Sequence, residues 1–469
     1  MMAWAPYEVK QGLKWIYGCL PVPMRYGRSF LYKCRLAEER EHWTAAALAA
    51  YQNEQLRFLI DHAYRHVPYY RTLFDRQGIE PASIRNVEDL HRIPPLTKED
   101  LRSHFSDLIA LNIQKKDRIL LATSGTSGRP LRFYSERRHE AYVDGDAYRW
   151  RHFRWGGCTP YDIRATLSAY RIPVKRNGER RLTTYDPIKR LLILSAYDLS
   201  RTAIHSYARA LEKHQPSFLH GYPSALEALT GFLQAEGIPS PTPVRALFTQ
   251  SEVLYPWQRT LIENYFGCKI YDWYGMEERV IAAAECEQHS GLHVFSDYCI
   301  VETLKDDSPV IGVEGEIVST RLDNFAMPLI RYRTGDMGVL STTPCACGRN
   351  LPLLRLNGGR DRNFLVGRNG ELISITVVDI PHATAHVEQF QFMQQTQGKA
   401  LLRIVKKNGF SDHDVEQIQQ ELREKFAGLV DVTVEYTETI ERTGRGKLPL
   451  LIQRLRLDHL PHGPEEPGR

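Results

Sequence analysis

The middle of the chain alternates short apolar segments with segments of helical character. A short run of consecutive apolar residues predicts a strand. The segments of this kind are Arg118–Ala122, Leu191–Leu194, Pro216–His220 and Ala246–Thr249. The last two are each followed by a helical stretch, which indicates an α/β sheet with its sites at strand ends. Glu314–Thr320 and Pro328–Tyr332 are expected to be strands of a later sheet.

The C-terminal part of the chain has a different pattern. Gln389–Met393 and Val432–Tyr436 alternate polar and apolar positions, and Ala400–Val405 predicts a further strand. Ser411–Ala427 predicts an amphipathic helix that ends at Gly428, because its apolar residues recur at helical spacing. These residues are Val415, Ile418, Leu422 and Phe426. The order β-β-α-β predicts a small α+β domain.

The N-terminal part begins with an aromatic and basic arm. Helix is predicted from about His42 to Phe74 with a break at Val67–Pro68. Thr97 is expected to cap another helix, with Asp100 three residues later. The predicted parts of the chain are an arm over 1–41, a large α/β domain over 42–360, a small mobile α+β domain over 361–458 and a disordered tail over 459–469. The arm is expected to pack on the main domain, and contact with a membrane surface or a partner is the alternative.

Composition narrows the class of protein. The chain has 469 residues, of which 25% are charged and 10% aromatic, and these values exclude global disorder, collagen and coiled coil. The net charge of +5 is small for this length and gives no reason to expect nucleic acid as the partner. No segment approaches the ~18 apolar residues of a membrane span. Lys10 and Lys14 interrupt any signal-peptide core, so a cytoplasmic location is expected. A homodimer is compatible with the sequence.

A loop rich in glycine and hydroxyl residues follows the strand that ends at Ala122. It consists of Thr123, Ser124, Gly125, Thr126, Ser127 and Gly128. Glycines allow the backbone N–H groups to turn toward one anion and hydroxyls add donors, so the loop is able to cradle phosphates. The Gly-Lys-Ser/Thr ending of the common nucleotide-binding loop is absent, and a flexible linker is the alternative.

Four further motifs follow this loop in order. They are Asp272-Trp273-Tyr274-Gly275-Met276-Glu277-Glu278, Tyr332-Arg333-Thr334-Gly335-Asp336, Gly359-Arg360-Asp361 and Arg442-Thr443-Gly444-Arg445-Gly446-Lys447. The ordered set resembles the signature of the AMP-forming, adenylate-forming ligases, which include the acyl-CoA synthetases. The resemblance extends from about His42 to Leu457 and implies a large adenylate-forming α/β domain followed by a small C-terminal domain.

Shorter segments resemble one branch of these ligases. Val67-Pro68-Tyr69-Tyr70-Arg71, Ile93-Pro94-Pro95-Leu96-Thr97-Lys98 and Cys345-Ala346-Cys347-Gly348-Arg349 are similar to phenylacetate–CoA ligases. Glu278-Arg279-Val280 and the N-terminal arm are similar to those of relatives linked to capsular polysaccharide synthesis. The deazaflavin-cofactor adenylating enzymes resemble the same branch.

The resemblance implies that a carboxylate attacks the α-phosphate of ATP to give an acyl-adenylate and pyrophosphate. The loop from Thr123 to Gly128 would hold the β- and γ-phosphates. Ser251, Glu252 and the residues from Asp272 to Gly275, which follow a predicted strand over Lys269–Tyr271, would line the adenine, with Tyr274 as the stacking platform. Asp336 would accept both ribose hydroxyls, because an ionised carboxylate only accepts hydrogen bonds. Arg360 would add a donor.

The same resemblance assigns the groups at the reacting phosphate. Glu278 would hold Mg²⁺, which prefers oxygen ligands. Lys447 would bridge the carboxylate and the α-phosphate. Glu277 stands where Ser or Thr is usual, so either acid is a candidate for the metal. Arg129 replaces the usual lysine of the loop, and Asn363 replaces the usual hinge acid, which makes transfer to CoA less certain than adenylation. Taken singly, Asp336 could close a turn, Arg360 could pair with Asp361, and Lys447 could be an exposed tail cation.

Three cysteines and a histidine have the composition of a structural zinc site. They are Cys286, His293, Cys345 and Cys347. Three sulfurs and an imidazole make a closed tetrahedral set, and some phenylacetate–CoA-ligase-like relatives carry a metal in this region. His289 competes with His293 as the fourth ligand, and free buried thiols are the alternative.

The sequence therefore predicts an ATP-dependent ligase that activates an aromatic or small organic acid and transfers the acyl group to CoA. An amine or hydroxyl of a sugar or cofactor in polysaccharide biosynthesis is the alternative acceptor. A non-catalytic nucleotide-binding scaffold of the same fold is the alternative of another class. Residues from about 150 to 197 and His220-Gly221-Tyr222 are expected to contribute to the acid pocket.

Overall fold

The computed structural model describes residues 7–123, 131–137, 147–168, 172, 181–196, 199, 201–240, 243–357, 364–375, 384, 386–426, 428–440 and 450–455. The helices of these residues are α1 (Tyr7–Gly18), α2 (Val22–Tyr26), α3 (Arg28–Arg40), α4 (Ala45–His66), α5 (Pro68–Gln77), α6 (Lys98–Ser103), α7 (Ala147–Trp155), α8 (Arg201–His214), α9 (Pro223–Ala235), α10 (Pro256–Phe266) and α11 (Asp412–Phe426). No helix in this part of the chain is long and apolar enough to cross a membrane.

The strands are interspersed with these helices along the chain. They are β1 (Arg118–Ala122), β2 (Arg132–Glu136), β3 (Arg164–Ser168), β4 (Thr183–Asp186), β5 (Leu191–Ser195), β6 (Phe218–Gly221), β7 (Ala246–Gln250), β8 (Lys269–Gly275), β9 (Ala282–Glu285), β10 (Leu292–Val294), β11 (Cys299–Lys305), β12 (Ser308–Val310), β13 (Glu314–Arg321), β14 (Tyr332–Ser341), β15 (Leu353–Asn357), β16 (Phe364–Val366), β17 (Leu372–Ser374), β18 (Val387–Thr396), β19 (Lys399–Lys406), β20 (Asp431–Tyr436) and β21 (Leu451–Gln453).

One half of the large sheet is parallel. Strands β5, β3, β6, β7 and β8 lie side by side in that order and run parallel, with β4 antiparallel at the outer edge. Alternate residues of these strands bury Leu219, Leu247 and Ile270 against α8, α9 and α10. On the opposite face α7 packs through Phe153, whose ring lies 4.9 Å from the ring of Phe248. The predicted α/β arrangement of the middle of the chain is confirmed.

The other half of the large sheet is antiparallel. From β8 the order continues through β9, β10, β15, β14, β13 and β11 to β12. The strand β8 is therefore the point at which the sheet changes, since it pairs parallel with β7 and antiparallel with β9. Helices α4 and α5 bury Leu59, Ile60 and Phe74 against this half, which packs Ile317 and Ile330 into the same core.

The expected break between the first long helices has a local cause. Helix α4 ends at His66 because Pro68 follows Val67, which adopts an extended conformation. Pro68 then occupies the first turn of α5, where its missing N–H costs nothing. Thr97 caps α6 as predicted, and its side chain and that of Asp100 each accept the other's backbone N–H.

The predicted strand over Pro328–Tyr332 is wrong for most of its length. Strand β14 begins only at Tyr332, and the residues before it form a buried connection. The carbonyl of Pro328 accepts a hydrogen bond from the Tyr70 hydroxyl at 3.0 Å. Arg331 has a positive φ of 51°, which is incompatible with a strand. Hydrogen bonds with the Tyr70 side chain therefore take the place of the strand-to-strand hydrogen bonds that the apolar run Pro328–Tyr332 predicted.

The C-terminal residues form a small four-stranded sheet of their own. Its order is β20-β19-β18-β21, with β18 and β19 antiparallel and the other two pairs parallel. Helix α11 covers it through Ile418, Leu422 and Phe426, which pack with Phe390 and Phe392 of β18. The predicted β-β-α-β order is present, followed by β21. The exact domain boundaries and the mobility of this part stay predictions, since residues 358–363 and 456–469 lie outside the description.

Candidate active site

Tyr274 and Asp336, predicted to contact adenine and ribose, are hydrogen-bonded to each other. The Tyr274 hydroxyl donates to Oδ2 of Asp336 at 2.9 Å. Tyr274 lies at the carboxyl end of β8, and Asp336 lies within β14. Both side chains are half-buried, so each retains a surface for a ligand. The geometry therefore brings together one aromatic ring and one carboxylate, the pair that the sequence assigns to a nucleoside.

Glu278 lies three residues after the end of β8 and accepts a hydrogen bond from Tyr332, the first residue of β14. The Tyr332 hydroxyl donates to Oε1 of Glu278 at 2.8 Å. Burial and the adjacent Glu278 carboxylate raise the pKa of Tyr332, so the phenol remains a donor. Glu278 is 5% exposed, whereas the neighbouring Glu277 is exposed. The two acids therefore differ in exposure, and the hydrogen bond from Tyr332 holds Glu278 next to β14.

The segment Leu96–Lys98 pairs with the start of β14. The Leu96 N–H donates to the Arg331 carbonyl at 2.9 Å, and the Arg333 N–H donates to the Leu96 carbonyl at 2.9 Å. This short ladder directs Lys98 so that its Nζ donates to the carbonyl of Thr334 at 2.6 Å. The ammonium consequently lies at the Thr334-Gly335 turn of β14, two residues before Asp336 in the sequence.

Asp272 is held on β8 by a neighbouring strand. The Thr249 hydroxyl donates to Oδ1 of Asp272 at 2.6 Å, and the Asp272 N–H donates to Oε2 of Glu285 at 3.1 Å. Burial and the nearby Glu285 carboxylate raise the pKa of Asp272 to about 6. Arg259 forms a two-pronged ion pair with Glu285 at 2.8 and 2.7 Å. Burial opposes ionisation of Glu285, but hydrogen bonds from His289 and Arg259 still hold its pKa below the usual value.

Ser251 and Glu252 form the turn that follows β7. Ser251 is exposed and has a φ of 69°, a conformation that costs a non-glycine residue about 1–2 kcal/mol. The Glu252 carboxylate accepts hydrogen bonds from the backbone N–H of Ser224 at 3.2 Å and from the Ser224 hydroxyl. Ser224 lies in the first turn of α9, where the helix dipole favours negative charge. Burial nevertheless raises the pKa of Glu252.

Trp273 lies on the opposite face of β8 from Asp272 and Tyr274, as alternation along a strand requires. Its ring lies 5.6 Å from that of Phe295, and the Arg149 guanidinium lies 3.9 Å from its centre. A Cβ atom at Gly275 would approach Nε1 of Trp273 to 2.6 Å, so only glycine fits there without a shift. This buried indole supports the backbone of the strand, and its contact with adenine stays a prediction.

The predicted phosphate loop is closed at its neck. The Thr123 N–H donates to the Leu131 carbonyl at 2.9 Å, and the Leu131 N–H donates to the Thr123 hydroxyl at 3.0 Å. Strands β1 and β2 pair below this neck with Ala122 opposite Arg132. The predicted site residues that fall outside the described residues are Ser124, Gly125, Thr126, Ser127, Gly128, Arg360 and Lys447.

The four predicted zinc ligands converge. Within the described residues, the donor atoms of Cys286, His293, Cys345 and Cys347 all lie within 4.8 Å of one another. The sulfurs of Cys286 and Cys345 are 3.8 Å apart, and Nε2 of His293 lies 3.3 Å from the sulfurs of Cys286 and Cys347. A tetrahedron with zinc–sulfur bonds of about 2.3 Å has sulfur–sulfur edges of about 3.8 Å. The set therefore has the dimensions of a zinc site.

The surroundings favour His293 over His289 as the fourth member of the cluster. Its Nδ1 lies 3.2 Å from the Leu351 carbonyl, so donation there leaves Nε2 facing the sulfurs. Burial lowers the pKa of His293, which favours the neutral imidazole that metals bind. His289 instead directs its Nδ1 to Glu285 at 3.3 Å and is not a member of the group.

Two polar side chains near the site received no role from the sequence. Tyr332 and Lys98 both lie in motifs that carry the resemblance, yet only the structure shows their bonds to Glu278 and to Thr334. The signal available in the sequence was their position inside those motifs. Their partners are 54 and 236 residues away along the chain, so spacing could not reveal the contacts.

Comparison with known proteins places the chain among curated relatives. Residues 365–454 match the family model described as the CapK C-terminal domain. A phenylacetate-coenzyme A ligase of Thermus thermophilus is 26% identical over 422 residues, which cover 83% of this chain and 92% of the relative. A phenylacetate-coenzyme A ligase of Escherichia coli is 29% identical and covers 73% and 78% of the two chains. Protein CapK of Staphylococcus aureus is 22% identical and covers 86% and 89%.

The fold is that of a solved CoA ligase. A structure of 2-hydroxyisobutyryl-CoA ligase with 2-HIB-AMP and CoA in the thioesterification state matches with a TM-score of 0.57. The alignment covers 92% of this chain and 93% of that one at 20% identity. The predicted fold class, a large α/β domain with a small C-terminal α+β domain, is confirmed.

Proposed function

We propose that this chain activates a carboxylic acid with ATP and passes the acyl group to CoA. It is a phenylacetate–CoA ligase-like homologue and has the fold of the AMP-forming ligases, as the sequence predicts. The hydrogen bond between Tyr274 and Asp336 is the observation that carries the proposal. It joins the two side chains that a nucleoside needs, a ring to stack on and an acceptor for ribose hydroxyls.

The proposed reaction has two steps. A carboxylate oxygen of the acid attacks the α-phosphorus of ATP, the bond to the β-phosphate breaks, and pyrophosphate leaves. The CoA sulfur then attacks the acyl carbon of the adenylate, and AMP leaves with the attacking oxygen. Asp336 and Tyr274 would hold the nucleoside through both steps, so the α-phosphorus stays in one place.

Glu278 is the proposed magnesium ligand. Its carboxylate offers the hard oxygen donors that Mg²⁺ prefers, and the Tyr332 hydroxyl fixes one of those oxygens. The second oxygen would be the metal ligand. A bound magnesium ion would offset the charge that develops on the phosphates.

Cys286, His293, Cys345 and Cys347 are proposed to hold one structural zinc ion. Three thiolates and one imidazole complete a tetrahedron, so no position would remain for a reacting water. Cys286 follows β9, His293 lies in β10, and the other two cysteines precede β15. The ion would therefore fasten these neighbouring strands, of which β9 pairs with β8, and would support the site without acting in the reaction.

Acid-dependent exchange of pyrophosphate into ATP tests the adenylation step. We expect exchange with at least one member of a panel of aromatic and small organic acids. Lys447→Ala should slow it roughly a hundredfold or more, because removing a charge aimed at the reacting oxygens costs several kcal/mol. Lys399→Ala changes an exposed lysine of the small sheet and should leave exchange unchanged. Equal exchange in the Lys447 variant and wild type would contradict the role of that lysine.

Product analysis with and without CoA distinguishes the acceptors. CoA thioester formation supports the main proposal, whereas adenylate that is consumed only by an added amine or hydroxyl supports the alternative acceptor. The matches to protein CapK and to the CapK C-terminal domain keep that alternative in polysaccharide biosynthesis open. Absence of exchange with every acid, together with normal ATP binding, would favour a non-catalytic scaffold. A cytoplasmic location and a homodimer stay predictions.

A further inference from the structure

Large apolar side chains are exposed together near the N-terminus. In α1, Trp15, Ile16 and Tyr17 are 54%, 70% and 42% exposed, and in α2 Met24 is 59% exposed. The Tyr17 hydroxyl donates to the Met24 carbonyl at 2.8 Å, so the end of α1 lies against α2. We call these four residues the N-terminal patch. A group of exposed large apolar side chains is a common sign of an interaction surface.

The patch is attached to the body of the protein at a defined place. Nζ of Lys14 forms an ion pair with Asp186 at 2.9 Å. A Cβ atom at Gly18 would lie 2.7 Å from the Pro187 carbonyl oxygen, so the end of α1 sits directly on the turn after β4. The ring of Trp15 also lies 5.5 Å from the ring of Tyr185. Strand β4 is the edge of the large sheet, and the patch is therefore presented at that edge.

Helix α3, which follows α2 directly, adds positive charge. Its inner side is apolar, since Phe30 and Ala37 are buried. Its outer side presents Arg28, Tyr32 and Arg35, which are four and three residues apart and so share one face. All three are exposed, as is Lys33. The sequence from Arg28 to Ala37 contains no acidic residue.

We propose that the N-terminal patch, together with the exposed Arg28, Lys33 and Arg35 of the adjoining helix α3, binds the surface of a membrane that contains anionic lipids. Apolar side chains of this size enter the boundary between headgroups and acyl chains, and arginine and lysine side chains pair with lipid phosphates. No helix of the described residues is able to span a bilayer, so the contact is peripheral.

Charge argues for a lipid surface rather than a second copy of the chain. In a two-fold symmetric dimer the same patch meets itself, which would bring two sets of exposed cations together. Such like charges repel across an interface, whereas an anionic surface complements them. Attraction of a basic segment to anionic lipid increases with each cation near the surface.

Co-sedimentation of the full-length protein with vesicles tests the proposal. Vesicles of phosphatidylglycerol and phosphatidylcholine should pellet the wild-type protein at about 0.1 M salt, and raising salt to about 0.5 M should weaken binding. Pure phosphatidylcholine vesicles should pellet much less. The double variant Ile16→Ser with Met24→Ser removes the two most exposed side chains of the patch and should lower the partition coefficient at least about tenfold. Arg28→Glu with Lys33→Glu should lower it on anionic vesicles.

Matched controls separate the patch from general surface effects. Phe58→Ser removes a side chain of α4 that is 60% exposed, and Lys115→Glu reverses an exposed charge outside α3. Both should bind as wild type, and all variants should keep wild-type thermal stability and pyrophosphate exchange. Wild-type protein that stays in the supernatant with anionic vesicles would overturn the proposal. In that case, a dimer in sedimentation equilibrium that Ile16→Ser dissociates would assign the patch to self-association.

Discussion

The Tyr274 hydroxyl donates a hydrogen bond to Asp336, although their strands are four positions apart in the sheet. Strands β9, β10 and β15 lie between β8 and β14. In a flat sheet, four steps would separate the two strands by about 19 Å, since neighbouring strands are about 4.8 Å apart. A tyrosine side chain cannot reach that far. The antiparallel half must therefore curl over, and the candidate site lies inside the curl.

Loss of this contact should weaken nucleotide binding. Asp336→Ala should lower the affinity for ATP and AMP by about 1.5–3 kcal/mol, the usual cost of losing hydrogen bonds to a charged group. Tyr274→Phe should cost less, because it leaves the carboxylate in place and removes only its donor. Titration calorimetry measures both, with the exposed Tyr161→Phe as control. Unchanged affinity in a folded Asp336 variant would remove this residue from the site.

The acid that serves magnesium is expected to be Glu278. Glu278→Gln should raise the magnesium concentration for half-maximal pyrophosphate exchange and slow the exchange roughly a hundredfold. Tyr332→Phe should shift the magnesium dependence less, since it only frees one carboxylate oxygen. Glu277→Gln is the neighbouring control and should have little effect, because Glu277 is exposed. If Glu277→Gln had the larger effect on exchange and Glu278→Gln had little, the magnesium ligand would be Glu277.

Zinc content should depend on the cysteine cluster. Elemental analysis of protein purified without chelator should find about one zinc per chain, the number that one tetrahedral site holds. Cys347→Ser should lower zinc content and the melting temperature, because binding of a structural ion contributes to folding. Cys268→Ser removes a thiol outside the cluster and should retain the metal. Substoichiometric metal with unchanged stability after chelation would leave these groups as buried thiols.

Stability should depend on pH through Asp272. Its pKa of about 6 exceeds the value of about 3.9 for an exposed aspartate. The stability that the protonated form contributes is complete below about pH 4 and is lost as the pH rises through about 6. Asp272→Asn should remove this loss, so the variant gains in melting temperature relative to wild type across that window. The Asp117→Asn variant, at an exposed position, is the control. A difference in melting temperature between Asp272→Asn and wild type that does not change with pH would contradict the assignment.

Features set by neighbouring residues were predictable from the sequence. The Thr97–Asp100 cap depends on residues three apart, and the apolar runs of β6 and β7 identify strands. These predictions succeeded because local geometry decides them. The spacing of Cys345 and Cys347 indicated a metal site, and the structure brings both residues into one Cys/His cluster, while the metal itself stays a prediction.

Features set by the curvature of the sheet were not predictable. Nothing in the spacing shows that Tyr274 meets Asp336 or that Tyr332 meets Glu278, because both contacts depend on how the strands between them curl. The choice of His293 over His289 likewise depends on the pairing of His293 with Leu353 of β15. The apolar run before β14 was misread as a strand because its bond to Tyr70 is invisible in the sequence.

Oxygen-18 transfer tests the central claim, activation of an acid through an acyl-adenylate, most directly. An accepted acid is labelled with ¹⁸O in its carboxylate and incubated with ATP, Mg²⁺, CoA and the wild-type protein. Because the attacking oxygen remains on phosphorus when the acyl group leaves, mass spectrometry should find one ¹⁸O in each AMP formed. Label in inorganic phosphate with ADP as the co-product, or unlabelled AMP beside a labelled acid, would contradict the adenylate mechanism.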